Sequence, residues 1–283
     1  MNHGDVAPGF EPVLAAFERN LTTEDEVAAS FGRCLTVNCW AARLSGKPWK
    51  RDSLQLAFLR DQGVRRGVHL DADRTGAARA RRSGEQGLAR IRRSGKERYP
   101  RARGGLTPAR PPAVRARLTE ADLVAPERIA ALLADQEPES DPRGALMYHA
   151  LTFGWLCGEL VRRVDGRTIG RFFAEEVATP LRLELWIGLP AEEEHLVTKL
   201  QYGSKWGLSP GASPQPKAQD ALLASIYDNP PIFPIDDVPW NTRTFHAAEI
   251  PGGGAIGTAR AIARLDGCLA RGGEIDDVRI LAP

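Results

Sequence analysis

The chain has 283 residues, 42% hydrophobic and 26% charged, with a formal net charge of +2. That length admits one large domain or two small ones, and the apolar content excludes a chain that is disordered from end to end. No apolar run approaches the roughly 20 residues of a spanning helix. The start, MNHGDVAPGF, has neither the basic nor the apolar region of a secretory signal, so a cytoplasmic protein with no membrane partner is expected.

The small net charge conceals an asymmetry. Residues 60–117 carry 16 Arg and one Lys against five acidic residues, whereas the rest carries 21 basic against 31 acidic residues. Four cysteines, Cys34, Cys39, Cys157 and Cys268, lack zinc-site spacing and read as reduced structural thiols. No metal and no cofactor is expected.

In chain order, residues 8–21 read as an amphipathic helix. Phe10, Val13, Leu14, Phe17 and Leu21 recur at helical spacing, and Pro12 suits a first turn. Residues 30–42 are one strand or two, and Gly46-Lys47-Pro48 is a turn. Residues 60–112 hold many Gly, Pro and Arg and a single aromatic, Tyr99. Such a segment buries too little apolar area to offset its ordering entropy and is expected to be disordered.

A clean helical pattern returns over residues 118–136, with Pro126 opening its second part. From Leu151 a longer helix is expected, with Leu156, Leu160 and Val164 as its stripe and Trp155 beside them. Gly154 and Gly158 on it would let another element approach closely. Asp165-Gly166 is a stop signal, Thr168 caps a following helix carrying Ile169, Phe172, Phe173 and Val177, and Pro180 ends that helix.

Ala191 to Glu194 reads as an exposed acidic cap, residues 201–217 as a Gly/Ser/Pro loop, and Ala221 to Ile226 as a short helix. Residues 228–240, with four prolines, read as an extended surface segment. Thr258 caps a last helix with Ile262, Leu265 and Leu269 on one face, and residues 272–283 leave as loop or strand.

The run Tyr148-His149-Ala150-Leu151-Thr152-Phe153-Gly154-Trp155-Leu156, then Gly158-Glu159, Gly166-Arg167 and Trp186-Ile187-Gly188-Leu189-Pro190, resembles the serine β-lactamase-related family. That family takes in penicillin-binding-protein-like esterases, class C β-lactamases and D-amino-acid peptidases. His3-Gly4, Ala7 to Phe10, Trp49 to Leu56, and the stretch from Ala248 through Gly257-Thr258-Ala259-Arg260-Ala261 to Glu274 fit in the same order.

The resemblance implies a β-lactamase/transpeptidase-like α/β (α+β) fold: a sheet flanked by helices plus a helical subdomain. It implies acyl hydrolysis of a small ester, amide or lactam by an S-x-x-K serine. Tyr148 is the candidate catalytic residue by resemblance, assisting proton transfer. The relatives' polar residue two positions on is replaced by Ala150, and His149 reads as structural.

The nucleophile motif is where this chain departs. After Leu56-Ala57-Phe58 the relatives have S-x-x-K-G; here Leu59-Arg60-Asp61-Gln62-Gly63 follows. Leu59 and Gln62 can neither attack a carbonyl nor accept a proton. None of the chain's serines has a lysine three residues later. One spelling of S-A-T-K-G, TCC GCG ACC AAG GG, becomes CTC CGC GAC CAA GGG when one C precedes it, and that encodes L-R-D-Q-G. A reading-frame shift through residues 59–112, with family-like sequence resuming near Ala113-Val114-Arg115, accounts for the basic run. A diverged basic segment is the alternative.

The family's third motif, of H/K-x-G type, is not found, so the expectation is one domain over 1–283, incomplete at its C-terminus. A non-catalytic binding protein on the same fold is the competing reading.

Three further patterns carry less. Gly207-Leu208-Ser209-Pro210-Gly211 matches a nucleophile elbow, but Pro210 has no N–H for an oxyanion. Gly252-Gly253-Gly254-Ala255-Ile256-Gly257 matches G-x-G-x-x-G, yet the residues before it make a poor buried strand. A flexible lead-in to the last helix is expected there. The basic run lacks the interleaved aromatics of a stacking platform, so nucleic acid is not the expected partner.

Overall fold

The structure, a computed structural model, describes residues 2–23, 28–33, 37–42, 52–57, 113–136, 149–201, 225–231 and 238–281. The expected basic disordered segment 60–112, the turn at 46–48 and the elbow-like 207–211 lie outside these residues.

At the N-terminus, the residues left open as one strand or two form a hairpin. Strand β1 (Asn2–Val6) is followed by α1 (Glu11–Thr23), with Pro12 in its first turn. Strands β2 (Ala28–Arg33) and β3 (Val37–Ala42) then complete an antiparallel sheet of order β1-β3-β2. His3 and Ser30 both lie opposite Trp40 on the central strand. Strand β4 (Gln55–Leu56) belongs to a second sheet, and Ser30 Oγ donates to Gln55 Oε1 (2.6 Å), linking the two.

Helices α2 (Glu120–Leu123) and α3 (Pro126–Asp135) divide at Pro126 as the sequence requires. The Thr119 N–H and hydroxyl both donate to Asp122 Oδ2 (2.8 Å each), closing a capping box. Helix α4 (Thr152–Asp165) stops at Gly166, whose φ of 91° needs no side-chain accommodation. Helix α5 (Ile169–Phe173) is capped by Thr168, which accepts from the Arg171 N–H.

Two helix expectations need correction. The buried stripe of α4 is Gly154, Trp155, Cys157 and Val161, while Leu160 is exposed and Leu156 only half-buried. One glycine sets the rotation of the helix. Gly154 presses on the Pro251–Gly252 peptide, where a Cβ would come within 2.7 Å of the Pro251 carbonyl carbon, and this rotates the leucines toward the flank. Nor does Pro180 end the next helix. The backbone widens to i→i+5 turns over Ala174–Ala178 and runs on through Thr179–Leu181. A widened turn tolerates the missing proline N–H, and the helix ends at Arg182 with φ 54°.

Strand β5 (Leu185–Ile187) is followed by 3₁₀ turns over Ala191–Leu196. Further on come a 3₁₀ turn at Pro239–Asn241 and α6 (Arg243–Ala247). Pro239 and Trp240 are buried, so the expected surface segment turns inward here. Trp240 meets Phe245 edge-on, ring centroids 5.3 Å apart. Of the expected helix at 221–226, only residues 225 and 226 are described, and they are helical together with Tyr227.

The expected flexible lead-in after Pro251 is instead β6 (Ala255–Gly257), the buried central strand of a sheet ordered β4-β6-β5. A dinucleotide loop would follow a strand; here the strand lies inside the glycine motif. Thr258 caps α7 (Ala259–Ala270), and β7 (Glu274–Ile275) and β8 (Val278–Arg279) close a hairpin.

One hydrophobic core joins α5, β5, β6, α7 and the hairpin around Phe172, Phe173, Leu181, Leu185 and Leu265. A second joins α2, α3 and α4 to the 238–250 region through Ile129, Trp155, Trp240 and Ile250. Full burial of each such side chain contributes about 1.5–3 kcal/mol. The half-buried Leu56 packs against the second core and also against a smaller group, Leu54, Leu189 and Ile256.

Candidate functional site

Tyr148, and positions 59 and 62, lie outside the described residues. What the structure describes is the end of β4, the start of α4 and the stretch 249–255 that touches both. On one side Ala57 N–H donates to Ala255 O (2.7 Å), and the β4–β6 register places Leu56 opposite Ile256. The chain thus leaves β4 toward residue 59 from beside Ala255. On the other side Gly252 presses on the start of α4: a Cβ there would stand 2.6 Å from Leu151 Cα and 2.9 Å from Ala150 O. Residue 149, the neighbour of Tyr148, is therefore reached within one step of Gly252. The end of β4 and the start of α4 thus both touch the stretch from Gly252 to Ala255.

That turn is closed by its own hydrogen bonds and is buried. Gly253 and Gly254 N–H both donate to Ile250 O (3.1 and 2.7 Å), and every residue from Ile250 to Thr258 is buried. Glu249 anchors its beginning. The Thr168 hydroxyl donates to Glu249 Oε1 (2.7 Å) and Gly170 N–H to Oε2 (2.9 Å). A Cβ at Gly170 would fall 2.8 Å from the Glu249 carboxyl carbon, and one at Gly188 3.0 Å from its Cγ. A Cβ at Gly170 would also stand 2.2 Å from Ile187 O, so that glycine admits the β5 backbone as well as the Glu249 side chain. Glu249 carries no local sequence signal, because its partners lie about 80 residues away.

His149 is half-buried, with Nδ1 3.4 Å from the Thr152 hydroxyl, so it braces the first turn of α4. Groups with displaced titration sit away from this frame, in ion pairs and in the core. The Arg167 guanidinium holds Asp165 below the usual carboxylate range against the opposing effect of burial. Burial pushes the Cys268 thiol up, which removes it as a thiolate nucleophile. Among the described residues no cluster of three or more His, Cys, Asp or Glu is placed to hold a metal ion, and no helix is long and apolar enough to cross a membrane.

The sequence pattern of the β-lactamase family matches residues 101–281. The chain belongs to that family. It is 30% identical over 272 residues to the esterase/β-lactamase LipL of Mycobacterium tuberculosis, covering 86% of this chain and 57% of LipL. The chain thus spans little more than half of that relative. Among solved structures it is similar to a penicillin-binding-protein homologue from Caulobacter crescentus, with TM-score 0.80 and 26% identity. It is also similar to a family VIII carboxylesterase, with TM-score 0.77 and 29% identity. Both alignments cover 100% of this chain and 75% of the other. The fold is therefore the β-lactamase/transpeptidase-like one, a mixed α/β architecture.

Proposed function

We propose that this fold is built for acyl hydrolysis of a small ester, amide or lactam, and that the chain as it reads does not turn over. The observation that carries both halves is the contrast between frame and nucleophile. β4 and the start of α4 both pack against the 252–255 stretch, while in the sequence Leu59 and Gln62 stand where relatives have Ser and Lys. A leucine has no nucleophilic atom, and a glutamine amide does not accept a proton at neutral pH. The esterase and lactamase names of the relatives support the substrate class. Tyr148 is the residue assigned to proton transfer in that chemistry. The buried thiols Cys157 and Cys268 fit a reducing compartment, and the cytoplasm is the proposed location.

The purified chain is expected to hydrolyse neither p-nitrophenyl butyrate nor nitrocefin above the buffer rate. Hydrolysis that is abolished by Tyr148→Phe overturns the proposed inactivity. The retained frame without a nucleophile also favours a second reading, a non-catalytic binder of the same ligands. A reproducible rise in melting temperature with penicillin G, in the absence of turnover, selects it.

A further inference from the structure

The segment after β5 is fastened to the 239–247 stretch at three places. Leu189 N–H donates to His246 O (2.7 Å). Asn241 accepts from Leu200 N–H (2.7 Å) and donates to Leu200 O (2.9 Å). Between these ends stands Glu194. His246 Nδ1 lies 2.8 Å from Glu194 Oε1, and Arg243 donates to Glu194 Oε2 (3.2 Å) and to Leu189 O (2.9 Å). The His246 side chain is 6% exposed and Glu194 33%, so the expected exposed acidic cap is exposed at Ala191 and Glu192 but half-buried at Glu193 and Glu194.

The same segment grips the start of β4. Leu54 N–H donates to Leu196 O (3.0 Å), and Thr198 N–H donates to Leu54 O (2.8 Å), as does its hydroxyl (2.9 Å). Leu196 and Val197 pack over Leu54, Leu189 and Ile256. Left to itself this segment has little reason to stay closed. Its middle is a run of 3₁₀ turns, whose hydrogen bonds are poorly aligned, and it holds three successive glutamates.

We propose that Glu194 latches residues 189–201 as a strap whose closure fixes Leu54 and β4 in register. Glu194 is then a positioning residue for the segment that leads to position 59. It acts through backbone pairs. This inference stands independently of whether the chain hydrolyses anything.

The test is amide hydrogen exchange on the whole chain, comparing wild type with Glu194→Gln and with Arg243→Met, two changes at part-exposed positions. Glu194→Gln keeps the shape and loses the charge that pairs with Arg243. The Leu54 and Thr198 amides report the strap directly; the Val161 and Leu265 amides report the two core helices. The expected result is exchange about tenfold faster or more at Leu54 and Thr198 in each variant. Val161 and Leu265 are expected to be unchanged, and the double variant no faster than the faster single one. Unchanged protection at Leu54 and Thr198 overturns the latch. So does acceleration of all four amides together, because that marks global loss of stability.

Discussion

Gly154 and Gly158 look alike in the sequence, two glycines one helical turn apart on α4, and the structure separates them. At Gly154 a methyl group would meet the Pro251–Gly252 peptide, with the Pro251 carbonyl carbon at 2.7 Å, and backbone does not yield as a side-chain tip does. At Gly158 the nearest atom is Ile169 Cγ2 at 3.5 Å, ordinary contact. Gly154→Ala is therefore expected to destabilise by about 1–3 kcal/mol, the usual cost of overpacking. Gly158→Ala should be neutral, or stabilising by up to about 1 kcal/mol through helix propensity. Urea denaturation of the two variants decides it, and equal effects would show that the Gly252 turn does not set the position of α4. The sequence marked both glycines as places of close approach. It could not say which one meets backbone, because the partner lies some 100 residues downstream. Glu249 is the same kind of case: an ordinary glutamate until Thr168, Gly170 and Gly188 surround it.

The elements themselves were largely legible, because caps and stops are local chemistry. Thr168 and Thr258 cap as their spacing requires, Gly166 takes the left-handed turn, and Pro126 separates α2 from α3. Errors arose where tertiary contact overrides pattern, as in the rotated stripe of α4 and in β6 inside a glycine-rich motif. At the α4–α5 junction the local chemistry has a pH consequence. Arg167 donates to both Asp165 oxygens (2.5 and 2.9 Å), and this holds the Asp165 carboxyl low although partial burial opposes it. The folded state thus binds the Asp165 proton less tightly than the unfolded chain does. The stabilisation is complete above the unfolded aspartate value, roughly pH 4, and is lost as pH falls through the lower folded value. Asp165→Asn is expected to melt below wild type at pH 7, with the gap closing as pH is lowered to about 2. A gap that stays constant across that range would mean Asp165 contributes through packing alone.

For the whole molecule, family-like motifs in the right order were enough to read the fold, and the tertiary fastenings that hold it together were not. Asn229 is one such fastening: its side chain accepts from Leu118 N–H (3.0 Å) and donates to Val114 O and Ala116 O (2.8 Å each). Gln136 is another, donating to Ala113 O (3.0 Å) and accepting from Arg115 N–H (2.7 Å). These bonds have a bearing on the nucleophile. The described chain reaches Ala57 paired to Ala255 and is found again at Ala113 and Val114, both buried and pinned by amide side chains. Both flanks of residues 58–112 are therefore built into the fold, and the family match takes in residues 101–281. We propose that a gene read one base out of step between these flanks accounts for the basic run and for Leu59 and Gln62, and this reading predicts a specific outcome. Reading codons 59–112 in the shifted frame, and returning to the present frame at Ala113, should place Ser at 59 and Lys at 62. The protein so encoded should hydrolyse p-nitrophenyl butyrate, whereas the present chain should fall short by a factor on the order of 10⁶, the scale of loss when a serine hydrolase lacks its nucleophile. The comparison needs both proteins folded, which circular dichroism and a cooperative melt establish. If the shifted reading meets a stop codon, or if its folded product is as inert as the present chain, residues 59–112 are a diverged segment and the frame has been kept for binding.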